Sequence, residues 1–288
     1  MRKVIGFNDY ELIDADSGER LERWGDIILI RPDPQIIWSG SRSDKRWNSA
    51  HAVYHRSQSG GGYWEKLKPV PDGWSISYNG LVFRLQPMGF KHTGLFPEQA
   101  VNWSLADKLI REAGRELKVL NLFAYTGGAT LACLNAGAAV THVDASKGMV
   151  QWAKENAAVS GLENRSVRWL VDDCLKFVKR EIRRGNHYDA IIMDPPSYGR
   201  GPNGEVWKLD QQLAELLSET GKLLSDNACF FLLNSYTAGI SPSILNYMVK
   251  KYVVCGRGGD VSTDEIGLLV TDKGIVMPCG NTTVWKKV

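Results

Sequence analysis

Small and acidic residues follow three short apolar runs in the second half of this 288-residue chain. Gly127 and Gly128 follow KVLNLFAYT, Asp144 ends AVTHVD, and Asp172 and Asp173 follow SVRWLV. A glycine pair lets the backbone turn tightly and approach a ligand closely. A carboxylate about 20 residues further on can accept both hydroxyls of a ribose, and one after a third strand can accept the amino group of adenine. The spacing therefore predicts an adenosine pocket.

Two motifs that the sequence lacks narrow the choice of cofactor. There is no GxGxxG, as in dinucleotide sites, and no lysine-containing phosphate loop, as in nucleoside triphosphate sites. An adenosine pocket without a pyrophosphate clamp suits S-adenosylmethionine better than NAD. Structural alternatives stay open for two of the groups, because the glycine pair can be a close-packing turn and Asp173 can cap a following helix.

A fourth apolar run ends in the segment Asp194-Pro195-Pro196-Ser197-Tyr198. The two prolines fix the backbone and remove two N–H donors, which leaves carbonyl oxygens as acceptors. A carboxylate and a rigid carbonyl can accept both hydrogens of an aromatic amino group and direct the nitrogen lone pair toward a methyl sulfonium. Alignment is the main requirement of such a reaction. The segment is therefore predicted to be catalytic in methyl transfer, and the alternative is a plain Asp-Pro turn.

Strands of one sheet would position all of these groups. From Pro97 onward, short apolar runs alternate with amphipathic helical segments, the pattern of a parallel sheet covered by helices on both faces. Ligands bind such sheets at the carboxyl ends of the strands, where these groups stand. We predict an α/β fold over residues 97–288, with a Rossmann-like, doubly wound, mostly parallel seven-stranded sheet. Its last two strands would flank a turn at Asp272-Lys273-Gly274.

Residues 1–96 show a different pattern, with short β-like runs separated by turn residues. Asn79-Gly80 lies between two alternating segments and predicts a two-residue hairpin turn. We predict a small N-terminal β-rich lobe. Its tryptophans and basic residues could stack and hold single-stranded RNA, and the structural alternative is that the tryptophans form the core of the lobe.

The composition excludes several classes of protein. A net charge of +3 permits nucleic acid as a partner without demanding it. The five cysteines are widely spaced and include no CxxC pair, so neither a disulfide framework nor a zinc site is indicated. The histidines lack metal-ligand spacing, and we predict no metal. We find no signal peptide and no apolar run of transmembrane length, so a cytoplasmic protein without a membrane partner is expected.

Four segments carry a resemblance to a known family: GFKHTGLFPEQ (89–99), NLFAYTGGATL (121–131), VDASKGMVQWAKENAAVSGL (143–162) and DPPSYGR (194–200). Together they resemble the bacterial ribosomal-RNA large-subunit cytosine-C5 methyltransferases and their uncharacterised relatives. The resemblance implies a Rossmann-like methyltransferase that binds S-adenosylmethionine. It also implies that the cofactor site is lined by Lys91, Thr93, Gly94, Phe96, Asn121, Phe123, Tyr125, Thr126, Gly127, Gly128, Asp144, Asp172 and Asp194.

The chain departs from this family where the family's chemistry needs a nucleophile. Transfer to cytosine C5 uses a cysteine thiolate that adds to the base, and family members carry it just after the fifth strand. The matching stretch here, LLNSYTAG, has Ser235 and Tyr236 instead, and Cys229 lies earlier in an apolar run where a core position is expected. Amino-nitrogen methylation is therefore favoured, although amino-methylating enzymes usually place an aromatic residue directly after the second proline, where Ser197 stands.

The substrate predicted from the resemblance is RNA, with ribosomal RNA favoured. The segment 196–209 carries Tyr198, Arg200, Trp207 and Lys208, which could stack a flipped-out base and hold its phosphates; a surface loop is the alternative. The basic run 176–184 is interpreted as a solvated helix end. Two rival functions remain, namely a methyltransferase of a protein or small molecule, and a non-catalytic RNA-binding module.

Overall fold

The computed structural model describes residues 1–57, 61–200, 206–236 and 239–287. They form two compact units. The small unit comprises Lys3–Ala100 and Gly267–Pro278, and the large unit comprises Met1–Arg2, Val101–Ile266 and Cys279–Val288. The domain boundary predicted between residues 96 and 97 stays a prediction.

The small unit consists mainly of short antiparallel strands. The strands of the first hundred residues are β1 (Arg2–Lys3), β2 (Tyr10–Asp16), β3 (Glu19–Trp24), β4 (Ile27–Pro32), β5 (Ala52–Arg56), β6 (Gly62–Lys66), β7 (Trp74–Tyr78) and β8 (Leu81–Leu85). Strands β2 to β6 lie side by side in chain order. Short 3-10 helices span Lys45–Ser49 and Pro97–Gln99. The predicted N-terminal β-rich lobe is confirmed.

The predicted hairpin is also present, with β7 and β8 paired as a separate two-stranded sheet. Asn79 and Gly80 connect them, with φ of 48° and 79°. Two successive positive φ angles give the turn whose twist matches that of antiparallel strands.

Strands and helices alternate in the large unit. They are α1 (Ala100–Glu112), β9 (Lys118–Leu122), α2 (Gly128–Asn135), β10 (Ala139–Asp144), α3 (Lys147–Val159), β11 (Val167–Val171), α4 (Cys174–Arg183), β12 (Ala190–Met193), β13 (Tyr198–Arg200), β14 (Val206–Lys208), α5 (Leu209–Gly221), β15 (Phe230–Ser235), α6 (Pro242–Val249), β16 (Asp260–Val270) and β17 (Ile275–Lys286). A π-helical turn, Lys250–Val254, continues α6. None of the helices in the described ranges is both long and apolar enough to cross a membrane.

The seven strands predicted for the α/β fold follow one another in the order β11-β10-β9-β12-β15-β17-β16, but among the described residues they belong to a sheet of 13 strands that also includes β1 to β6. The first five strands are parallel, and β17 runs antiparallel to β15. Strands β16 and β17 flank the predicted turn, and both extend into the small unit, where Val270 pairs with Leu12 of β2. The strand order reverses at β9, which pairs with β10 on one side and β12 on the other. Such a switch point is where open α/β sheets bind ligands.

Apolar burial on both faces holds the sheet in place. All four residues of β12 and all six of β15 are buried, as the continuously apolar runs predicted. On α4 the buried side chains recur at helical spacing, at Cys174, Phe177, Val178 and Glu181. Because the buried strands are parallel, their carboxyl ends lie at one common edge of the sheet, and the polar residues follow there.

Candidate active site

The carboxyl ends of β9, β10 and β12 meet at one edge of the sheet. In the strand register, Leu122 lies beside Val143 on one side and Met193 on the other. The residues that follow these strands are therefore neighbours, and they include the glycine turn, Asp144 and Asp194. Asp144 itself pairs with Val171 at the end of β11, so that Asp172 comes next at the same edge. The structure thus brings together the four groups that the sequence placed at strand ends.

The turn after β9 has an unusual backbone. Phe123 and Tyr125 have φ of 55° and 50°, and Gly127, which precedes α2, has φ of 90°. Residues other than glycine rarely adopt such angles, at a cost of roughly 1–3 kcal/mol each, and they concentrate at ligand sites. The surrounding structure therefore holds this segment in a strained conformation of the kind that is common at ligand sites.

Gly128 is fixed by a close approach to α1. A Cβ built on Gly128 would lie 2.4 Å from Cζ2 of Trp103, which is buried. The close-packing alternative raised by the sequence therefore applies to Gly128. At Gly127 glycine is favoured both by the positive φ and by Ala153, whose Cβ would lie 3.0 Å from an added Cβ.

Buried side chains behind the turn support it. Asn121 Nδ2 donates to Thr130 Oγ1 at 2.9 Å, and that oxygen lies 2.9 Å from His142 Nδ1. Asn156 Nδ2 on α3 donates to the Thr126 carbonyl oxygen at 2.9 Å. Asn121 and Thr126 were predicted to contact the cofactor, and the structure places both of them in this buried support.

Asp144 is anchored by two backbone amides. Its Oδ2 accepts a hydrogen bond from Tyr125 N and its Oδ1 accepts one from Ser146 N, each at 2.8 Å. Burial raises the pKa of Asp144 above its usual value, although both amide bonds act in the opposite direction. A half-buried carboxylate fixed beside the glycine turn can accept the hydroxyls of a ribose without reorientation.

The two acidic residues after β11 have structural partners. Asp173 is the N-cap of α4, and its Oδ1 accepts from Lys176 N at 2.8 Å, so the capping alternative is present. Asp172, which precedes the N-cap, forms an ion pair with Arg180 on α4. Asp173 therefore has a capping role in the helix, whereas the carboxylate of Asp172 is paired with a side chain and does not cap the helix.

The basic run on α4 is largely paired with acidic side chains. Lys179 Nζ lies 2.6 Å from Glu215 Oε1 on α5, and Arg184 Nη1 lies 2.9 Å from Glu181 Oε1. Basic side chains paired in this way agree with the interpretation of a solvated helix end rather than an RNA surface.

The segment after β12 changes from buried to exposed within a few residues. Pro195 is buried, whereas Pro196, Ser197 and Tyr198 are exposed. Asp194 is half-buried, and its Oδ1 accepts a hydrogen bond from Asn234 Nδ2 at 2.9 Å. The segment predicted to be catalytic therefore reaches the protein surface at the carboxyl edge of the sheet, and the buried Asn234 holds its carboxylate.

Where the sequence indicated a loop, the structure has a short two-stranded ribbon, β13 paired with β14. Trp207 Nε1 donates to the Pro196 carbonyl oxygen at 2.6 Å, and the Trp207 ring lies 5.4 Å from the Phe123 ring. Tyr198, on the partner strand, is 53% exposed. The ribbon thus contacts both the segment predicted to be catalytic and the turn after β9. The predicted loop residues 201–205 lie outside the described residues.

The other four predicted cofactor residues belong to the small unit. Burial lowers the pKa of Lys91 to about 8, and its Nζ donates to the Pro32 carbonyl oxygen at 3.1 Å. Thr93 is fully buried, and no partner of its hydroxyl is found among the described residues. Gly94 has φ of 102°, and the Phe96 ring packs 5.1 Å from His92.

No cysteine stands where the C5 chemistry needs one. Ser235 ends β15 and Tyr236 follows it. Cys229 precedes β15 at the opposite edge of the sheet, and it is half-buried near Arg115, so the prediction of a core position was wrong. Cys174 lies behind the glycine turn, but burial raises the pKa of its thiol well above the usual value. A thiol kept protonated is a poor nucleophile.

Sequence reasoning missed three polar residues that the structure connects to Asp194. Asn234 comes from β15, Thr282 from β17 and Asn102 from α1, and all three are buried. The only signal in the sequence was an asparagine at the end of an otherwise apolar strand.

A Rossmann-like sheet that brings a glycine turn and aspartates together at its switch point is typical of a cofactor-dependent transferase. The chain belongs to the S-adenosylmethionine-dependent methyltransferase family, which matches it over residues 38–247. Its cofactor is S-adenosylmethionine. The anchored carboxylate of Asp144 and the strained glycine turn fit that cofactor's adenosine moiety.

A solved structure described as a SAM-dependent methyltransferase from Agrobacterium tumefaciens is 37% identical, with a TM-score of 0.93 over 99% of this chain and 92% of that chain. A Streptococcus mutans structure that is 20% identical has a TM-score of 0.75 over 98% of this chain and 76% of that one, which supports the fold.

A curated relative, the ribosomal RNA large subunit methyltransferase K/L of Shewanella frigidimarina, is 34% identical over 79% of this chain. The match covers only 34% of that relative, so this chain corresponds to about a third of its length.

Proposed function

We propose that this protein methylates an exocyclic amino nitrogen of an RNA base, with ribosomal RNA as the favoured substrate. The observation that carries the proposal is the Asp194-Pro195-Pro196 segment at the carboxyl end of β12, directly beside the glycine turn of β9. Adjacent parallel strands present their following residues to the same space, so acceptor and methyl donor would meet there.

The residues of this segment provide alignment. S-adenosylmethionine, when bound, supplies a methyl group whose sulfonium is already a good leaving group. Asp194 and the Pro195 carbonyl oxygen accept the two hydrogens of the amino group and turn its lone pair toward that methyl group. In the transfer the nitrogen would bond to the methyl carbon as that carbon leaves sulfur, and the sulfur would keep the electron pair of the broken bond. The nitrogen then loses one proton, for which Asp194 is the adjacent acceptor.

Two observations support nitrogen over cytosine C5. The position that would carry the nucleophilic cysteine holds Ser235, and Cys229 lies at the far edge of the sheet. RNA as substrate is supported by the printed name of the Shewanella frigidimarina relative. It is also supported by Tyr198 and Trp207, aromatic residues on the ribbon beside Asp194 that suit stacking against a base. A cytoplasmic location belongs to the same proposal.

The test is transfer of a labelled methyl group to unmodified large-subunit ribosomal RNA transcribed in vitro, followed by nucleoside analysis. We expect an amino-methylated nucleoside, and we expect Asp194→Ala to lower the rate by roughly a hundredfold or more because alignment is lost. Asp210→Asn, at an exposed carboxylate on α5, is the matched control and should leave the rate unchanged.

Other outcomes separate the rivals. A product methylated only at C5 would overturn nitrogen transfer. Label that appears in protein or small molecules of a cell extract, and not in RNA, would favour a methyltransferase of a protein or small molecule. Binding of RNA without any transfer, unaffected by Asp194→Ala, would indicate a non-catalytic module.

A further inference from the structure

Three buried polar side chains form a continuous hydrogen-bonded chain that ends on Asp194. Asn102 Nδ2 donates to Thr282 Oγ1 at 3.0 Å, and Thr282 Oγ1 donates to Asn234 Oδ1 at 2.8 Å. Asn234 Nδ2 then donates to Asp194 Oδ1 at 2.9 Å. We call Asn102, Thr282 and Asn234 the amide relay.

The relay occupies positions where apolar side chains would be expected. Asn234 and Thr282 are fully buried and Asn102 is 3% exposed. Asn234 and Thr282 face each other across the antiparallel pair β15–β17, between residues such as Leu233 and Val284 that belong to the core. Burying polar groups costs free energy unless each is hydrogen-bonded. Three buried polar side chains that are hydrogen-bonded one to the next therefore indicate a requirement other than packing.

The relay also has a fixed direction. The Thr282 hydroxyl accepts from the amide of Asn102, so its own hydrogen is directed to the carbonyl oxygen of Asn234. That arrangement leaves the NH₂ group of Asn234 toward the carboxylate. The flipped amide would place its carbonyl oxygen against a carboxylate oxygen, which is repulsive. Asp194 therefore faces a hydrogen-bond donor whose orientation is determined by two other residues.

We propose that Asn234, held by Thr282 and Asn102, is a positioning residue that orients the Asp194 carboxylate for the amino group of the substrate. The inference rests on the proposed function of Asp194. An ionised carboxylate has about four lone-pair sites, so accepting from Asn234 leaves capacity for the substrate. Donation from an N–H group also favours the ionised form, which is the one that can accept an amino hydrogen.

The first experiment removes one hydroxyl while retaining the shape of the side chain. Thr282→Val breaks the relay, and we expect kcat to fall between about tenfold and a hundredfold because the carboxylate loses its orientation. Calorimetric binding of S-adenosylmethionine should change much less than kcat, since Asp144 and the glycine turn, which are proposed to hold the adenosine moiety, lie on other strands. Thr282→Ser retains the hydroxyl and should restore most of kcat.

A matched control is available on the same strand. Thr283 is fully buried, and its hydroxyl lies 2.8 Å from that of Thr263, outside the relay. Thr283→Val removes a comparable buried hydrogen bond and should leave kcat near that of the parent protein. Equal loss of kcat in Thr282→Val and Thr283→Val would reduce the relay to a purely structural role, and an unchanged kcat in Thr282→Val would overturn it.

A second measurement does not depend on turnover. Asn234→Asp places a second carboxylate within hydrogen-bonding distance of Asp194, and two such groups share a proton. In ¹³C-carboxyl NMR, with Asp194→Asn for assignment, the two carboxyls should titrate as a coupled pair, and one of them should titrate at least about one pH unit higher than Asp194 does in the parent protein. Two independent titrations, neither of them raised, would contradict the contact.

The two proposals can fail separately. If Asp194→Ala abolishes transfer while the relay variants match the parent protein, the proposed function stands and the relay is wrong. If Asp194→Ala retains full transfer, the proposed role of Asp194 fails first, and the relay has no carboxylate to orient.

Discussion

Asp144 combines burial with two backbone hydrogen bonds, and its ionisation should control cofactor binding. Burial raises its pKa, while the amides of Tyr125 and Ser146 partly oppose that effect. In the proposed site the ribose hydroxyls would donate to the carboxylate form, so protonation of Asp144 would remove the acceptor. The pH at which cofactor affinity begins to decline on acidification should therefore lie above the ordinary aspartate pKa of about 3.9.

We predict that S-adenosylmethionine affinity is constant at neutral pH and falls as the pH decreases through the raised pKa of Asp144. Asp144→Asn should weaken binding about tenfold or more at neutral pH, because hydrogen bonds to a charged group are lost, and it should abolish the acidic decline. Calorimetric titration across pH measures both. An identical decline in the variant would assign the pH dependence to another group.

At the scale of the element, the start of α2 depends on contact between a glycine and a tryptophan. A Cβ at Gly128 would lie 2.4 Å and 2.7 Å from ring atoms of Trp103, and that ring is buried on α1. A clash of this kind cannot be relieved by rotating a surface side chain. The helix and the turn before it must shift instead.

We predict that Gly128→Ala lowers the free energy of unfolding by about 1–3 kcal/mol, the usual cost of overpacking. Gly148→Ala is the control: Gly148 is exposed on α3, and its nearest neighbour, Ser146 Oγ, lies 3.9 Å away. The control should be neutral or stabilising by about 0.5–1 kcal/mol. Denaturant unfolding compares the two, and equal effects would exclude the contact with Trp103 as the cause.

A buried ion pair links two strands of the small unit. Arg31 on β4 donates to both carboxylate oxygens of Glu22 on β3, at 2.6 Å and 2.8 Å, and the Tyr10 hydroxyl donates to one of them at 2.7 Å. Burial by itself would raise the pKa of Glu22, but Arg31 and the hydrogen bonds bring it below the usual value. A carboxyl with a lowered pKa contributes stability that is present above its unfolded pKa.

We predict that Glu22→Gln destabilises the protein by about 3–5 kcal/mol at neutral pH, because Arg31 is left buried without its counter-ion. In the parent protein this contribution should be lost as the pH falls below about 4.3 and through the lowered native pKa. Glu112→Gln breaks an exposed pair with Lys108 at 3.6 Å and should cost at most about 1 kcal/mol. Thermal unfolding across pH measures both variants, and equal midpoints at neutral pH would contradict the prediction.

At the scale of the whole molecule, the family and the fold extend over both units. The family match begins at residue 38, inside the small unit, and the Agrobacterium tumefaciens structure aligns with 99% of this chain. The segment Gly267–Pro278 belongs to the small unit although it follows the large unit in sequence. The small unit therefore includes the tip of the β16–β17 hairpin as well as the first hundred residues. A single boundary between residues 96 and 97 assigns that tip to the other domain.

The features that the sequence by itself determined are those encoded by local patterns of residues. Periodicity separated strands from helices, the apolar runs identified buried parallel strands, and Asn79-Gly80 fixed a hairpin. The groups at strand ends were found because carboxyl ends of parallel strands must share one edge. Asp144, Asp194 and the glycine turn were predicted together for that reason.

Only the tertiary structure decided which way the side chains face and what they contact. Asp173 caps a helix and Asn121 supports the turn from behind, although their sequence positions equally suit contact with a ligand. Asn102, Thr282 and Asn234 come from distant parts of the chain, and their hydrogen bonds depend on pairing between β15 and β17. Long-range register and side-chain direction follow from packing of the whole sheet, and no local spacing in the sequence carries them.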